Sequence, residues 1–286
     1  MKLVSYNVQY GIGRDGRFDL VRIADAVRGA EIIALQEVTR NFKRNDGADM
    51  VAGLADLLPE HFFVFAPAMD VDLGQRDAAG RPLNRRLEFG NMVLSRWPIA
   101  GARNLLLPRS RRLSRGNLQR AALEALVMAP QEALRVYSVH LDHISAEERA
   151  AQILHLKERV LAVPLEGGAL SGAAEFGFAE PPAPEAFVLL GDFNMVQGSP
   201  EYRAMVGEPD PQEGLSLVFH HPVDAYGLGE AAPAGAVSWI DAAGGGRGRL
   251  IDYAFVHASL AERVVRCRVD GEAEGSDHQP VWLELS

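Results

Sequence analysis

The chain has 286 residues, of which 48% are hydrophobic and 23% charged, so it is long and apolar enough to bury a complete core. Its one cysteine, Cys267, excludes a disulfide framework and a thiolate-rich zinc site, and we expect it to be a small packed side chain. The formal net charge of −9 argues against a protein that binds a polyanion over its whole surface, although a local basic groove or a metal could still attract nucleic acid.

Short apolar segments bounded by turn residues recur along the chain and predict strands. In chain order these are residues 3–8, 32–37, 62–65, 91–95, 121–127, 134–140, 187–193, 252–256, 263–269 and 281–285.

Helical spacing is less frequent. Helices are predicted after the capping residue Asp19 as far as Gly29, over residues 48–58, from the capping box of Ser145 and Glu148, and from Ser199. Residues 74–89 and 166–185 are predicted to be surface loops. Many strands with a few covering helices predict a layered α/β protein, here a single domain over residues 1–286.

The beginning of the chain has no pattern of a secretion signal, because residues 2–6 already alternate as a strand does. No apolar run approaches the roughly 18 residues that a membrane helix needs. We therefore expect a cytoplasmic protein without a membrane span, and a monomer.

Polar side chains lie in or at the ends of several predicted strands, where a rigid sheet can hold catalytic groups. Asn7 lies in the first strand, and Glu37 ends the second. A buried carboxylate needs a partner, and Mg²⁺, which prefers oxygen ligands, is one that would serve. Taken alone, a structural hydrogen bond explains Asn7 about as well, and a carboxylate at the end of a strand, such as Glu37, is more often a salt-bridge partner.

Two further strands end in the same way. His140 and His143 flank Asp142 after one strand, a combination that suits function and structure about equally. The strongest local signal is the apolar run that ends in Asp192 and Asn194, because alternate residues of a strand share one face.

A last pair is Asp252, which begins a predicted strand, and His278, which follows one strand later. An aspartate that accepts a hydrogen bond from a histidine fixes its tautomer and raises its basicity. Two adjacent antiparallel strands could bring the two side chains together.

Taken in order, seven motifs of this sequence resemble the endonuclease/exonuclease/phosphatase superfamily. They are Ser-Tyr-Asn-Val at 5–8, Leu-Gln-Glu-Val at 35–38, Gly-Asn-Met-Val-Leu-Ser-Arg-Trp-Pro-Ile at 90–99, Val-His-Leu at 139–141, Gly-Asp-Phe-Asn at 191–194, Ile-Asp-Tyr at 251–253 and Ser-Asp-His at 276–278. Each motif is weak, but the ordered set is highly specific and spans nearly the whole chain. Residues 140–152 are most similar to the small bacterial metal-dependent hydrolases of this superfamily.

The resemblance implies a DNase I-like fold, a four-layer α/β/β/α sandwich of two mostly antiparallel sheets flanked by helices. It also implies a Mg²⁺ or Mn²⁺ site, with Glu37 as the main ligand beside Asn7 and Asp277. Asp192 and Asn194 would position or activate water, His278 held by Asp252 would act as a base or bind a phosphate oxygen, and His140 would contact the phosphate. Both Asp192 and His278 suit the role of base. Substrate contacts are expected from Asn91, Arg120, His143 and Trp239.

Three functions follow from this reading. The leading hypothesis is a metal-dependent phosphoesterase whose partner is a small or lipid-derived phosphoester. The second is a nuclease, since arginines cluster at Arg109, Arg111, Arg112, Arg115 and Arg120 and again at Arg76, Arg81, Arg85 and Arg86. Against it, Gln9 stands where certain nucleases of the family carry a carboxylate. The third is a non-catalytic binding protein, which the intact set of polar residues disfavours.

Overall fold

The computed structural model describes residues 1–212, 214, 216–229, 235–241 and 247–286. The strands are β1 (Lys2–Asn7), β2 (Ile32–Arg40), β3 (Phe62–Asp72), β4 (Gln75–Arg76), β5 (Pro82–Leu83), β6 (Arg86–Ser95), β7 (Ile99–Leu106), β8 (Ala121–Met128), β9 (Ala133–His140), β10 (Phe187–Asp192), β11 (Val223–Asp224), β12 (Trp239–Asp241), β13 (Arg247–Arg249), β14 (Asp252–Val256), β15 (Val264–Val269) and β16 (Val281–Leu285). The α-helices are α1 (Leu20–Val27), α2 (Met50–Leu57), α3 (Ala146–Glu166) and α4 (Pro200–Val206).

Two large sheets form the centre of the described structure. The first sheet has the strand order β15-β16-β1-β2-β6-β3, and the second has the order β11-β14-β10-β9-β8-β7. Helices α1 and α2 contribute Ile23 and Leu54 to a core on the outer face of the first sheet, where Val4 and Ile33 lie. Helices α3 and α4 share a second core with both sheets. The four-layer sandwich is therefore confirmed, and none of the described helices is long and apolar enough to cross a membrane.

Register in the second sheet aligns three of the predicted site residues. Strand β10 runs parallel to β9, with Asp192 opposite His140, and antiparallel to β14, with Asp192 opposite Asp252. His140, Asp192 and Asp252 therefore form a row across three neighbouring strands. Gly191 makes this row possible, because a Cβ at this position would collide with the backbone of Val139.

The strand that carries Glu37 differs from its prediction. Strand β2 continues to Arg40, and its pairing with β6 shifts between Leu35 and Val38. Glu37 lies in this bulge with φ of 62°, so its side chain leaves the regular alternation of the strand. The carboxylate is thus presented by an irregularity within a strand and not by a strand end.

Two other expectations also need correction. Residues 74–89 are not a simple loop: they contain the hairpin β4–β5 and the first residues of β6, which begins at Arg86 and not at residue 91. The strand β7 was missed, since its residues alternate between half-buried and exposed without a strong apolar pattern. Residues 166–185 are largely irregular as expected, apart from a short 3-10 turn at Ala173–Phe176.

Candidate active site

A cavity of about 670 Å³ opens beside the row formed by His140, Asp192 and Asp252. The predicted residues that line it are Glu37, Arg120, His140, His143, Asp192, Asn194, Trp239, Asp277 and His278. Residues that are far apart in the chain thus share one concave surface with both acidic and basic groups.

Asp252 lies beneath this surface and is hydrogen-bonded directly to His278, which lines it. The Oδ2 atom of Asp252 accepts hydrogen bonds from His278 Nδ1 at 2.8 Å and from Ser238 Oγ at 2.7 Å. The pair does not come from adjacent strands as expected: Asp252 begins β14 of the second sheet, whereas His278 precedes β16 of the first. Burial alone lowers the pKa of His278, but the carboxylates of Asp252 and then Asp192 outweigh it and raise that pKa to about 10.

Asp192 lies between the two histidines of the site. Its Oδ2 is 3.4 Å from His140 Nε2 and 3.8 Å from His278 Nε2, and it accepts a hydrogen bond from Asn7 Nδ2 at 3.0 Å. Its Oδ1 accepts from the backbone N–H of Asn194 at 2.9 Å. Burial and the nearby Asp252 carboxylate raise the pKa of Asp192. Asp192 is therefore a buried carboxylate with a raised affinity for protons, as a general base needs.

Arg120 places a buried cation beside these acids. Only 4% of it is exposed, and its Nη1 lies 2.7 Å from His140 Nε2 while its Nη2 lies 2.7 Å from His143 Nδ1. A guanidinium can only donate, so both rings accept and are neutral. Burial and then Arg120 lower the pKa of both His140 and His143, in agreement with this arrangement. The Nε–H of Arg120 has no hydrogen-bond partner among the described residues.

The donors proposed for a metal fit a hard divalent cation. Burial raises the pKa of Glu37 more than the nearby Arg120 and His278 lower it, and the Asp277 carboxylate adds to the rise. In the described part of the chain no arginine or lysine forms an ion pair with Glu37, and the neutral ring of His140 lies nearby, with its Nε2 3.9 Å from Glu37 Oε1. The Oδ1 of Asn7 accepts from the backbone N–H of Gln9 at 3.0 Å and has a second lone pair, and carboxylate and amide oxygens are ligands that Mg²⁺ accepts. The buried cluster of Asp192, Asp252 and His278 also has the spacing of a metal site, but its Asp252–His278 hydrogen bond favours a catalytic pair.

Asn91 and Asn194 differ from their expected placement. The Asn91 amide donates to the backbone oxygens of Ala121 and Ser138 at 2.9 and 2.8 Å, so it ties the first sheet to the second and does not line the cavity. Asn194 lies beyond the end of β10 with φ of 50°, and its Nδ2 donates to the oxygen of Leu141. It reaches the cavity through a turn and not by strand alternation.

Backbone strain is concentrated around the cavity. Gln9, Tyr10, Glu37 and Asn194 all have φ between 42° and 62°, a region that residues other than glycine rarely adopt, and all four line the cavity. Such conformations cost about 1–3 kcal/mol each and persist where surrounding structure enforces them, often at functional sites.

Several lining residues were not predicted from the sequence. The sequence did not single out three aromatic residues and one cation of the lining, namely Tyr10, Phe42, Phe89 and Arg44. Trp239, in contrast, lines the cavity as expected, and its Nε1 donates to Asp277 Oδ2 at 3.1 Å. Proximity to Asn7, three residues earlier, was a signal for Tyr10. No local pattern distinguishes the others from ordinary core or surface residues.

Comparison with known proteins defines the class of this chain. A model of the endonuclease/exonuclease/phosphatase family matches residues 4–278, so the chain belongs to this family, whose members hydrolyse phosphoesters. A comparison with curated protein sequences found no match.

Three solved structures illustrate the shared fold. A family member from Beutenbergia cavernae DSM 12333 is 22% identical with a TM-score of 0.65, and the match covers 100% of this chain and 72% of that one. The mannosyl-6-phosphatase of Bacteroides thetaiotaomicron is 18% identical with a TM-score of 0.65, covering 100% and 99%. Truncated Caenorhabditis elegans TDP2 is 15% identical with a TM-score of 0.63, covering 100% and 97%.

Proposed function

We propose that this protein is a divalent-metal-dependent phosphoesterase that cleaves small or lipid-derived phosphoesters by attack of water. The observation that carries the proposal is the row of His140, Asp192 and Asp252, with His278 hydrogen-bonded to Asp252 at 2.8 Å. This arrangement places a candidate base, Asp192, next to histidines that can donate hydrogen bonds to a phosphate.

The roles of the residues follow from their positions. Arg120 and the neighbouring His140 and His143 would hold the phosphoryl oxygens, since a buried cation favours a dianion strongly when water is excluded. Asp192 Oδ2 stands where it could take the proton of the attacking water. His278, whose raised pKa of about 10 keeps it protonated near neutral pH, would instead donate from Nε2, 3.8 Å from Asp192 Oδ2, to a phosphoryl oxygen. Asp252 would orient His278 and stabilise its protonated ring by accepting from Nδ1.

Glu37, Asp277 and Asn7 would hold Mg²⁺ or Mn²⁺. Such an ion neutralises charge on the phosphoryl oxygens and orients the substrate. Ser276 keeps this side of the site in place, because its Oγ donates to the backbone oxygen of Asn7 at 2.7 Å.

Small substrates are favoured over nucleic acid for two reasons. The net charge of −9 repels a polyanion at long range. Moreover, the arginine clusters are partly neutralised: Arg112 pairs with Glu148, Arg81 with Asp77 and Arg86 with Asp70. The name of the similar mannosyl-6-phosphatase supports a monoester of a small alcohol.

A nuclease is the second candidate. The exposed residues Arg109, Arg111 and Arg115 belong to the segment that places Gly116 and Leu118 in the cavity wall. A basic segment at this position could contact a nucleic-acid backbone.

The test is hydrolysis of a panel of phosphomonoesters, phosphodiesters, RNA and plasmid DNA with Mg²⁺, with Mn²⁺ and with EDTA. We expect activity with either ion and none with EDTA. Glu37→Ala should lower kcat/KM by more than about 100-fold, because even indirect metal partners contribute 10- to 100-fold. Glu158→Ala, on the exposed face of α3, is the matched control and should match the native protein. Full activity of a verified metal-free preparation would refute the proposal.

A further inference from the structure

One wall of the cavity is a row of aromatic rings that leads away from the catalytic residues. The ring centroids of His140 and Phe89 are 6.3 Å apart, those of Phe89 and Phe42 6.2 Å, and those of Phe42 and Tyr10 5.3 Å. His140 and Phe89 are buried, Phe42 and Tyr10 are half-buried, and Arg44 beyond them is exposed. The row therefore runs from the reacting centre towards solvent.

The outer end of this wall is held rigidly. Tyr10 and Arg44 lie on two short 3-10 turns, Gln9–Gly11 and Lys43–Asn45. The buried Asn45 joins the turns, because its Nδ2 donates to the backbone oxygen of Tyr10 at 3.0 Å and to Thr39 Oγ1 at 2.9 Å. Tyr10 has φ of 45°, which a tyrosine rarely adopts.

Arg44 adds a cation to the outer end. Its guanidinium lies 5.5 Å from the centre of the Tyr10 ring, and its Nη1 donates to the Tyr10 hydroxyl at 2.8 Å. Among the described residues no carboxylate forms an ion pair with Arg44, in contrast to Arg149, which also lines the cavity and is paired with Glu201. Arg44 thus keeps donors available for an acceptor in the cavity.

We propose that Tyr10, Phe42, Phe89 and Arg44 form a subsite for the alcohol portion of the substrate. That portion is a ring, aromatic or saturated, which carries an anionic group at its far end. Ring faces pack against aromatic side chains, and Arg44 binds the anionic group. The inference rests on the proposed function, because that function places the scissile phosphoryl group beside His140.

The test measures binding, so it does not depend on turnover. Four phosphonates that cannot be hydrolysed as esters are titrated calorimetrically into the protein with Mg²⁺: butyl-, cyclohexylmethyl-, benzyl- and 4-carboxybenzylphosphonate. We expect either ring compound to bind about threefold to tenfold more tightly than the butyl compound. The carboxylate should strengthen benzyl binding by a further factor of about three to five. Comparison of the cyclohexylmethyl and benzyl compounds distinguishes a saturated ring from an aromatic one.

Three variants separate the parts of the subsite. Arg44→Ala should remove the gain from the carboxylate and keep the gain from the ring, and Arg44→Lys should restore part of the former. Phe42→Leu, which keeps an apolar side chain at a packed position, should reduce the ring gain and keep the carboxylate gain. Matched controls are Arg28→Ala, whose side chain pairs with Asp25 on α1, and Phe178→Ala, which is exposed; neither residue lines the cavity.

Each result decides a different question. Absence of binding, affinities within about twofold of one another, or a carboxylate gain that survives Arg44→Ala would overturn the subsite. Binding in the expected order by a protein that hydrolyses no phosphoester would support the subsite and refute the proposed function. Hydrolysis of phosphoesters by a protein that does not bind the four phosphonates in the expected order would support the proposed function and refute the subsite.

Discussion

A buried arginine lies near each end of strand β9, Arg135 within the strand and Arg120 directly before β8, whose first residue pairs with His140. The two arginines are held in opposite ways. Arg135, near the start of the strand, is 1% exposed and donates to the backbone oxygens of Pro184, Val160 and Glu185, each at 2.7 Å. A further hydrogen bond reaches the Tyr137 hydroxyl at 3.0 Å. In the described structure Arg135 has no carboxylate in ion-pair distance, so neutral acceptors compensate its burial.

Arg120, next to the end of the strand, has almost the same burial but different partners. It donates to two histidine rings and is stabilised at longer range by Glu37 and then Asp192. Each of these partners can also bind a proton or, in the case of the carboxylates, a metal. The comparison teaches that burial of a charge does not reveal its role, whereas the nature of its partners does: fixed neutral acceptors indicate structure, and titratable partners around a cavity indicate function.

The largest effect should come from the acid–base pair at the catalytic end. Asp252→Asn and His278→Ala should each lower kcat/KM by about 10³- to 10⁴-fold, because the first removes the carboxylate that orients and stabilises the His278 cation and the second removes the ring. The double variant should be little worse than either single one, since the residues act as a unit. Rates are measured with the best substrate of the panel. Two single effects that multiply in the double variant would indicate independent roles.

A crossed pair of substitutions tests the contrast between the arginines directly. Arg135→Leu leaves four acceptors without a donor and should lower the free energy of unfolding by about 3–5 kcal/mol, since each unsatisfied buried group costs about 1–3 kcal/mol before relaxation. The activity of the protein that remains folded should stay within a few-fold of the native value. Arg159→Leu, at an arginine on α3 that pairs with Glu158 and Glu166, is the control for stability.

Arg120→Leu should show the opposite pattern. We expect kcat/KM to fall about 10²- to 10³-fold, because a donor aimed at the phosphoryl oxygens is lost. The free energy of unfolding should change less than in Arg135→Leu, because the desolvation cost of the cation disappears together with its contacts. Urea unfolding and steady-state kinetics of both variants provide the measurement. If both variants lost stability and activity to the same extent, the distinction between a structural Arg135 and a functional Arg120 would be wrong.

The smallest expected effect is that of salt. In a log–log plot, kcat/KM falls as the salt concentration rises. A site that binds one phosphate should give a slope of magnitude near one or less, whereas binding of duplex DNA gives a slope of magnitude about 0.9 for each phosphate contacted. We therefore expect a shallow slope with small phosphoesters. Efficient plasmid cleavage with a steep slope, exceeding every small substrate, would favour the nuclease instead. Arg111→Ala and Arg115→Ala should then reduce that slope.

The sequence by itself determined the layered fold and most of the polar residues that line the cavity. Strand patterns and capping residues are local, and His140, Asp192 and Asp252 follow or begin apolar runs that can be recognised without tertiary contacts. The order of the motifs indicated the family, which the family model confirms. The single-domain division, the monomeric state and the roles of the individual site residues stay predictions.

Only the tertiary structure decided how these residues meet. The bulge that turns Glu37 towards the cavity depends on pairing with β6, and the Asp252–His278 hydrogen bond joins two different sheets. The different partners of Arg120 and Arg135 likewise come from other segments of the chain. The physical reason is that a local pattern encodes which face of an element is apolar, whereas register, bulges and contacts between sheets are fixed by packing among residues far apart in sequence.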